Sequence, residues 1–444
     1  MIDMSPEVVT IVMVAGLLVG IMSGFPLGLV LGGVAMAVGL VAWGPQVFYM
    51  FYNRLFGVLI EYTFLAVPLF LFMGIMVERS GVSDKLFSAL HLWLGGFRGG
   101  LAIGTVLFGT ILAACVGVIA ASVTMLGLIA LPAMLSRGYS KGISAGACCA
   151  GGTLGILIPP SIMLVLYGPM ATISVGKLFM AAFIPGFVLS ALYCTYIGIR
   201  CFLKPKEGPA MPAEERTATW GRKIYLLFTS MIPPVFLVLA VLGSIFFGIA
   251  SPTEAAAVGA LASIVMAAAY RALNFPVLKE TTYRTMRTFS MVFVIVVGAS
   301  FFTGVFLSLG CGDVVASFVL AAPFGRWGAF AVIMFIIFIL GMFIDWIGII
   351  MIMIPIVSPI AIAVGFDPLW FAMMIIVNLQ MSFLSPPFAY AIFFLKGVTT
   401  PEMEIDSGHI IRGVIPFIGL IMIGLALFIK FPQLILWLPS MMIK

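Results

Sequence analysis

The sequence has 444 residues, and its composition excludes a water-soluble protein. Residues of the set AVILMFWYC make up 63% of the chain and charged residues only 9%, whereas a soluble domain carries roughly 25% charged residues. The 22 Lys and Arg residues exceed the 16 Asp and Glu residues, giving a net charge of +6. Continuous apolar runs, often longer than about 18 residues, predict an all-α polytopic membrane protein rather than an outer-membrane barrel of short alternating strands.

Charges, prolines and glycines divide the apolar sequence into segments. Amphipathic stretches that mix charges with apolar residues are expected to lie at the membrane interface. Two long uncharged runs are predicted to be re-entrant hairpins. In chain order, the segments are spans at 8–23, 26–44 and 62–78, the interfacial helix 79–99, the hairpin 101–136, a broken helix at 141–175, a span at 178–199, the polar loop 200–223, spans at 224–248 and 253–270, the basic stretch 271–288, a span at 290–309, an interfacial piece at 311–324, the hairpin 327–365, a second broken helix at 368–395, and a last span at 413–429.

The distribution of basic residues predicts the orientation. The polar loop 200–223 and the basic stretch 271–288 are rich in Lys and Arg, so both are expected to face the cytoplasm. If both hairpins return to their own side, 17 of the 22 Lys and Arg residues face the cytoplasm and 5 face the other side. The acidic start, Met1 to Glu7, lacks the basic region of a cleavable signal and is predicted to be periplasmic.

An internal repeat appears as Pro and Gly positions that recur at an offset of 227 residues. Consecutive prolines remove two backbone donors, so each Pro-Pro pair is predicted to break a helix. In the predicted topology the two copies have opposite orientations, and such inverted repeats are typical of secondary transporters with a binding site at the membrane midplane. The matched pairs are Pro132 and Pro359, Gly138 and Gly365, Pro159 and Pro386, and Pro160 and Pro387.

The repeat divides the chain into four predicted parts. Residues 1–61 are N-terminal scaffold helices, and residues 62–203 form the first repeat with its arm helix, hairpin and broken helix. Residues 204–289 contain the cytoplasmic loop, two scaffold helices and a basic arm. Residues 290–444 form the second repeat, which includes the last span.

Several segments resemble a known family, the large membrane (M-type) subunit of tripartite ATP-independent periplasmic (TRAP) transporters. The segment AGGTLGILIPPSIMLVLYGPMATISVGKLFMAAFIPG (150–186) is similar to the hallmark of that subunit. Other matching motifs are PLFLFMGIMVERSG (68–81), SPTEAAAVGAL (251–261), MIPIVSPI (353–360) and the Pro-Pro break at 385–387. The resemblance covers nearly the whole chain.

The resemblance implies an elevator-type fold of the ion-transporter superfamily in the bacterial inner membrane. It implies sodium-coupled import of a small organic anion that a periplasmic binding protein delivers. A small four-helix membrane subunit is the expected partner within the lipid bilayer, and no nucleic acid is expected. Sodium would serve as the coupling ion, with no other cofactor.

The first hairpin tip departs from the family pattern. In much of the family this tip is rich in serine, whereas here it reads CVGVIAAS (115–122), and only Ser122 and the following Thr124 offer hydroxyls. Backbone carbonyls around Gly117 are the alternative ligands. Because an unwound backbone beside a cavity can bind ions, Gly117 and Ser122 are both candidates for the site.

Asp345 is the strongest candidate for a sodium ligand. It lies within the uncharged run 327–365, and the offset of 227 places its neighbour Ile344 opposite Gly117, at the second hairpin tip. A carboxylate at membrane depth is costly and is commonly functional, and hard cations prefer oxygen ligands. The alternatives are a salt bridge or a solvated turn.

Polar residues beside the two breaks complete the candidate site, with sodium expected at one pseudo-symmetric position in each repeat. Ser382 and Ser385 are tentative sodium ligands with Asp345, and the alternative for the polar residues is hydrogen bonding between helices. The candidates are Gly152, Thr153, Gly155 and Ser161 at the first break, and Asn378, Gln380, Ser382 and Ser385 at the second.

Other functions are less consistent with the sequence. A stand-alone carboxylate symporter of the same superfamily, without a binding protein, remains the main alternative. An enzyme is not expected, because the chain has only two His residues and no HExxH, GxSxG or GxxxxGK[ST] motif. Glu254 is predicted to be structural, since Ser251, Pro252 and Glu254 form the pattern of a capping box.

Overall fold

The computed structural model describes residues 5–212 and 219–442, and the regular secondary structure within these ranges is helical. Residues 213–218 of the predicted polar loop, including Arg216, lie outside the described residues, as do residues 1–4 and Lys444. The α-helices of the described ranges are α1 (Pro6–Met22), α2 (Leu27–Trp43), α3 (Val47–Ile60), α4 (Ala66–Arg79), α5 (Val82–Leu94), α6 (Gly100–Val116), α7 (Ile119–Ser136), α8 (Lys141–Thr153), α9 (Ile162–Ala171), α10 (Val175–Leu203), α11 (Trp220–Phe246), α12 (Pro252–Ala269), α13 (Phe275–Ser308), α14 (Cys311–Leu320), α15 (Arg326–Gly341), α16 (Trp346–Ala363), α17 (Pro368–Leu384), α18 (Tyr390–Val398), α19 (Ser407–Lys430) and α20 (Gln433–Ser440).

The helices confirm a polytopic membrane architecture. Nine helical segments of the described residues are long and apolar enough to cross a membrane. Large apolar side chains are exposed along their outer faces, as in Tyr49, Phe236 and Phe393. Exposed apolar surface of this extent is expected where lipid, rather than water, surrounds the protein.

Both predicted hairpins and both predicted breaks are present. Helices α6 and α7 are separated only by Gly117 and Val118, while α15 and α16 are separated by residues 342–345. Each Pro-Pro pair interrupts a helix, so α8 is followed by α9 and α17 by α18. The two repeats therefore contain the same series of elements, as the offset of 227 residues predicted.

Two boundaries differ from the sequence prediction. The basic stretch 271–288 and the span 290–309 form one helix, α13, of 34 residues, so the predicted boundary at 289/290 falls inside it. Charged residues mark the end of an apolar run but need not end a helix: Arg284 lies one turn after Glu280 and forms an ion pair with it at 3.0 Å. A short helix, α20, follows the predicted last span.

The helices form two packed groups. The first, named the scaffold group, contains α1–α4 and α11–α13, with strong packing of α13 on α2 and of α12 on α4. The second, named the hairpin group, contains both hairpins, both broken helices, α10 and α19. Arm helices α5 and α14 lead from the end of α4 and of α13 into the two hairpins.

Within the hairpin group the repeats pack on each other reciprocally. Helix α9, after the first break, packs against α16 of the second hairpin. Helix α18, after the second break, packs against α7 of the first hairpin. Each repeat thus supplies a surface on which the broken helix of the other repeat ends.

Tertiary contacts agree with the predicted grouping of segments on two faces. Segments predicted to be cytoplasmic contact one another, and segments predicted on the opposite face do the same. The first set includes the Arg79–Glu280 ion pair, Lys141 Nζ to Glu404 Oε2 at 3.1 Å and Trp93 Nε1 to Lys223 O at 3.0 Å; the second includes Cys311 Sγ to Pro6 O at 3.8 Å and Trp370 Nε1 to Phe428 O at 3.0 Å.

The predicted capping box at α12 is confirmed. The backbone N–H of Ser251 donates to Glu254 Oε2 at 2.7 Å, and the N–H of Glu254 donates to Ser251 Oγ at 3.4 Å. Pro252 occupies the first helical position, where its missing N–H would have had no partner. This reciprocal pair satisfies two donors at the helix start and accounts for Glu254 without a role in ion binding.

Candidate functional site

The first hairpin tip rests directly on the first break. Gly117 ends α6 in the left-handed conformation, with φ of 65°, which glycine adopts readily. A Cβ atom on this residue would lie 3.2 Å from the carbonyl oxygen of Pro160. The tip therefore brings the carbonyls of the turn beside the unwound backbone at Pro160 and Ser161.

A buried hydroxyl lies behind this tip. Ser122, on the first turn of α7, is fully buried, and its Oγ has no hydrogen-bond partner among the described residues. The opposite wall is Gly155, where a Cβ atom would lie 3.1 Å from Ser122 Oγ and 3.6 Å from the carbonyl oxygen of Val118. A hydroxyl oxygen and a carbonyl oxygen thus face the same small space.

The other candidates at the first break are satisfied by the backbone or serve in packing. Ser161 Oγ donates to the carbonyl oxygen of Ile156 at 2.6 Å, and Thr153 Oγ1 donates to that of Ala150 at 3.0 Å. At Gly152, a Cβ atom would lie 2.4 Å from Val123 Cγ2. Glycine at this position therefore allows α8 to approach α7 closely.

The structure places Asp345 at the second hairpin tip, where the sequence located it. Its backbone is extended, and its carboxylate accepts a hydrogen bond from Ile347 N at 3.3 Å, which makes it the N-cap of α16. An acidic N-cap is favourable because it faces the positive end of the helix dipole. The cap engages one oxygen and leaves the carboxylate free to accept further contacts.

The polar residues of the second break lie between α17 and its neighbours. A Cβ atom on Gly341, at the end of α15, would lie 2.7 Å from Ser382 Oγ. Ser385 Oγ donates to Met381 O at 2.9 Å. Asn378 Nδ2 donates to Met334 O on α15 at 2.8 Å, which is the contact between helices that the sequence left as an alternative.

Gln380 is fully buried, and both atoms of its side-chain amide lack a hydrogen-bond partner among the described residues. It occupies the position that the offset of 227 residues assigns to Thr153 in the first repeat. Unsatisfied buried amides are uncommon in folded proteins and call for a partner. Gln380 is therefore a second polar group of the hairpin group, after Ser122, that could contact an ion or water.

Both tips and both breaks meet at one cavity of about 710 Å³ between the hairpin group and the scaffold group. From the scaffold side, residues 26–29, Leu71 and side chains between 288 and 295 line it. Of the candidates, Asp345 lines the cavity itself, and the others lie in the packed layer around the tips and breaks. The lining from the hairpin group is Val118, Ile119, Ala120, Ile162, Asp345, Trp346, Ile347, Phe383, Tyr390 and Phe394.

Sequence reasoning missed the aromatic part of the cavity. Tyr390 begins α18 immediately after the second break, beside Ala389, which has a positive φ of 40°. Its ring packs edge-on against Phe383, with 6.0 Å between ring centroids. A hydroxyl-bearing ring directly after a Pro-Pro break, in a run of Phe and Ile, was the available signal for Tyr390.

Chemically, the arrangement offers oxygen atoms at two related positions beside one enclosed space. One position has the Ser122 hydroxyl and the turn carbonyls, and the other has the Asp345 carboxylate with Ser382 nearby in the adjoining helix. Hydroxyl, carbonyl and carboxylate oxygens are the ligands that hard monovalent and divalent cations prefer. Binding of an ion at either position would fix a hairpin tip against its break.

Comparison with known proteins confirms the family that the motifs indicated. Residues 11–434 match the family described as "Tripartite ATP-independent periplasmic transporter, DctM component". The chain is 31% identical over 417 residues to the C4-dicarboxylate TRAP transporter large permease protein DctM of Pseudomonas aeruginosa, covering 92% of this chain and 93% of that protein. It is 28% identical over 423 residues to the sialic acid TRAP transporter large permease protein SiaM of Vibrio cholerae, with coverage of 94% and 96%.

A solved structure supports the fold independently. The YdaH transporter of Alcanivorax borkumensis, whose crystal structure has an unusual topology, aligns with a TM-score of 0.62 over 97% of this chain and 100% of that one. The sequence identity is 14%, so this likeness concerns the fold alone. From the family match and the relatives together, the chain belongs to the DctM family, the large permease subunits of tripartite ATP-independent periplasmic transporters.

Proposed function

We propose that this permease imports a small organic anion together with sodium. The observation that carries the proposal is the convergence of both hairpin tips and both breaks on one cavity, with Asp345 at its wall. Inverted repeats with broken helices are typical of secondary transporters, in which substrate and ions bind where the repeats meet. Since the sequence lacks a GxxxxGK[ST] motif, an ion gradient is the proposed source of energy.

Sodium is assigned to two positions, one in each repeat. The first is the space bounded by Ser122 and Gly155, where a buried hydroxyl has no partner among the described residues. The second is the tip that carries Asp345, with Ser382 and Ser385 in the adjoining break. A bound cation would offset the cost of burying these oxygens and would attract the carboxylate of the substrate.

The proposed movement is that of an elevator, in which the hairpin group slides against the scaffold group. The reciprocal packing of α9 on α16 and α18 on α7 supports it, because these contacts join the two repeats into one body. The cavity lies between the two groups, so a relative displacement would change its access from one face to the other. The arm helices α5 and α14 would act as the flexible connections.

The partners and orientation follow from family membership and from the charge distribution. A periplasmic binding protein is proposed to deliver the anion, and a small four-helix subunit is proposed to enlarge the scaffold group. With 17 of the 22 Lys and Arg residues on the face of the polar loop, that face is assigned to the cytoplasm and the N-terminus to the periplasm of the inner membrane.

Uptake by proteoliposomes tests the proposal. The chain is reconstituted with its small subunit, and anion uptake is measured with and without the cognate binding protein and an inward sodium gradient. We expect uptake only when both are present. Uptake without the binding protein would identify a stand-alone symporter, and uptake driven equally by a proton gradient without sodium would overturn the sodium coupling.

A further inference from the structure

The lining of the main cavity carries information about the substrate that family membership does not. Relatives of about 30% identity are named for a C4-dicarboxylate and for sialic acid, so the family spans chemically different anions. The cavity of about 710 Å³ is within the usual range for sites that enclose a small organic molecule. Its chemistry can therefore be compared with each class of anion.

The lining is almost entirely apolar. Among the described residues around the cavity, Asp345 is the only charged one, and none is Lys or Arg. The hydroxyls come from Thr288, Ser290 and Tyr390, and the indole of Trp346 adds one N–H donor. The remaining side chains are aliphatic or aromatic, so few groups are available to pair with a strongly polar molecule.

The aromatic rings lie together on the side of the hairpin group. Phe383 and Tyr390 pack edge-to-face, and the Tyr390 ring lies 6.4 Å from that of Phe394. Trp346 follows Asp345 directly, so its ring adjoins the carboxylate tip. Aromatic surfaces of this kind favour flat or branched apolar bodies through offset and edge-on contacts.

We infer that the substrate of the proposed transport is a monocarboxylate with an aromatic or branched aliphatic body. One carboxylate can be compensated by the cation at the Asp345 tip. A second carboxylate would be buried without a basic partner, which is unfavourable. A polyhydroxylated acid would leave most hydroxyls unpaired against apolar walls, whereas an apolar body gains from leaving water. This inference rests on the proposed function, because it assumes that the cavity encloses the transported anion.

Ligand-induced thermal stabilisation of the purified large and small subunits, in sodium buffer, tests the inference. The probes are phenylacetate as an aromatic monocarboxylate, succinate as a dicarboxylate and gluconate as a polyhydroxylated acid. We expect phenylacetate to stabilise the protein at concentrations at least tenfold lower than the other two. Equal or better stabilisation by succinate or gluconate, or no response to phenylacetate, would overturn the substrate class.

A matched pair of variants assigns the effect to the cavity. Phe394 lines the cavity, whereas its neighbour Phe393 is 73% exposed on the outer face. We expect Phe394→Leu to raise the phenylacetate concentration needed for half-maximal stabilisation several-fold, and Phe393→Leu to leave it unchanged. The unfolding temperature without ligand checks the fold of both variants. Equal effects of the two variants would contradict binding in this cavity.

The two proposals fail in different ways. If phenylacetate is preferred equally with and without sodium, the substrate class stands while sodium coupling falls. If sodium drives uptake of succinate in proteoliposomes, the transport mechanism stands while the substrate class falls.

Discussion

Ser122 and Gly155 face each other across the first hairpin and its break, so closely that a Cβ atom at position 155 would lie 3.1 Å from Ser122 Oγ. The hydroxyl is buried and has no hydrogen-bond partner among the described residues. A buried polar group without a partner is destabilising, and a bound cation would remove that penalty. This pair is therefore the sharpest point at which sodium binding can be tested.

Replacing the hydroxyl should weaken sodium binding. We expect Ser122→Ala to raise the sodium concentration for half-maximal uptake by about tenfold, since a lost ligand contact of roughly 1.4 kcal/mol corresponds to that factor. The measurement is the sodium dependence of uptake in proteoliposomes. Ser136→Ala, at the exposed end of the same helix, is the control and should behave as wild type. Identical sodium dependence in both variants would exclude Ser122 as a ligand.

Removing the charge of Asp345 should abolish sodium-dependent uptake. Asp345→Asn keeps an N-cap residue on α16, because asparagine caps helices about as well as aspartate, so the change is mainly electrostatic. Asp367→Asn is the matched control: Asp367 caps α17 by accepting from Trp370 N at 2.8 Å, and it does not line the cavity. Uptake is measured beside the amount of protein inserted in the membrane. Normal uptake by the Asp345 variant would remove this residue from the site.

The two faces can be distinguished by labelling of intact cells. Lys206→Cys lies on the face assigned to the cytoplasm, and Lys430→Cys lies on the opposite face; both positions are exposed. A membrane-impermeant maleimide should label the cysteine at 430 and spare the one at 206, until the cells are permeabilised. The wild-type protein, with its six native cysteines, gives the background. The reverse pattern would invert the topology.

The Pro-Pro breaks should be needed for transport rather than for folding. The double variant Pro160→Ala/Pro387→Ala restores one backbone donor in each break and allows the helices to continue. We expect uptake to fall at least tenfold, with no decrease in the unfolding temperature. Pro185→Ala, which changes a proline inside the continuous helix α10, should retain uptake. Unchanged kinetics of the double variant would show that the breaks have no part in the mechanism.

Local patterns predicted the elements of this fold well because each pattern has a local physical cause. The recurrence of Pro159 and Pro160 at Pro386 and Pro387 located both breaks, since consecutive prolines cannot continue a helix. The same offset, applied to Gly117, located Asp345 at the second tip. The capping box of Glu254 was also recognisable, because it depends only on neighbours in sequence.

Features that depend on distant partners were not accessible from the sequence. Thr288 and Leu71 line the cavity because α13 and α4 lie opposite the hairpins, and no local pattern records that pairing. The continuity of α13 was missed because Arg284 looked like a boundary, whereas its charge is compensated by Glu280 on the same helix. Asn378 appeared to be a cavity residue by its polarity, but it donates to the backbone of α15 instead.

The reciprocal packing of the two repeats has a consequence for how such a chain can be divided. A single repeat would leave α9 or α18 without the hairpin on which it packs, exposing apolar helix faces that the intact chain covers. Two separate copies in opposite orientations would cover these faces for each other. The fold is thus equivalent to a dimer of inverted halves joined by one polypeptide, and the halves expressed as two chains, cut in the polar loop, should be stable only when produced together.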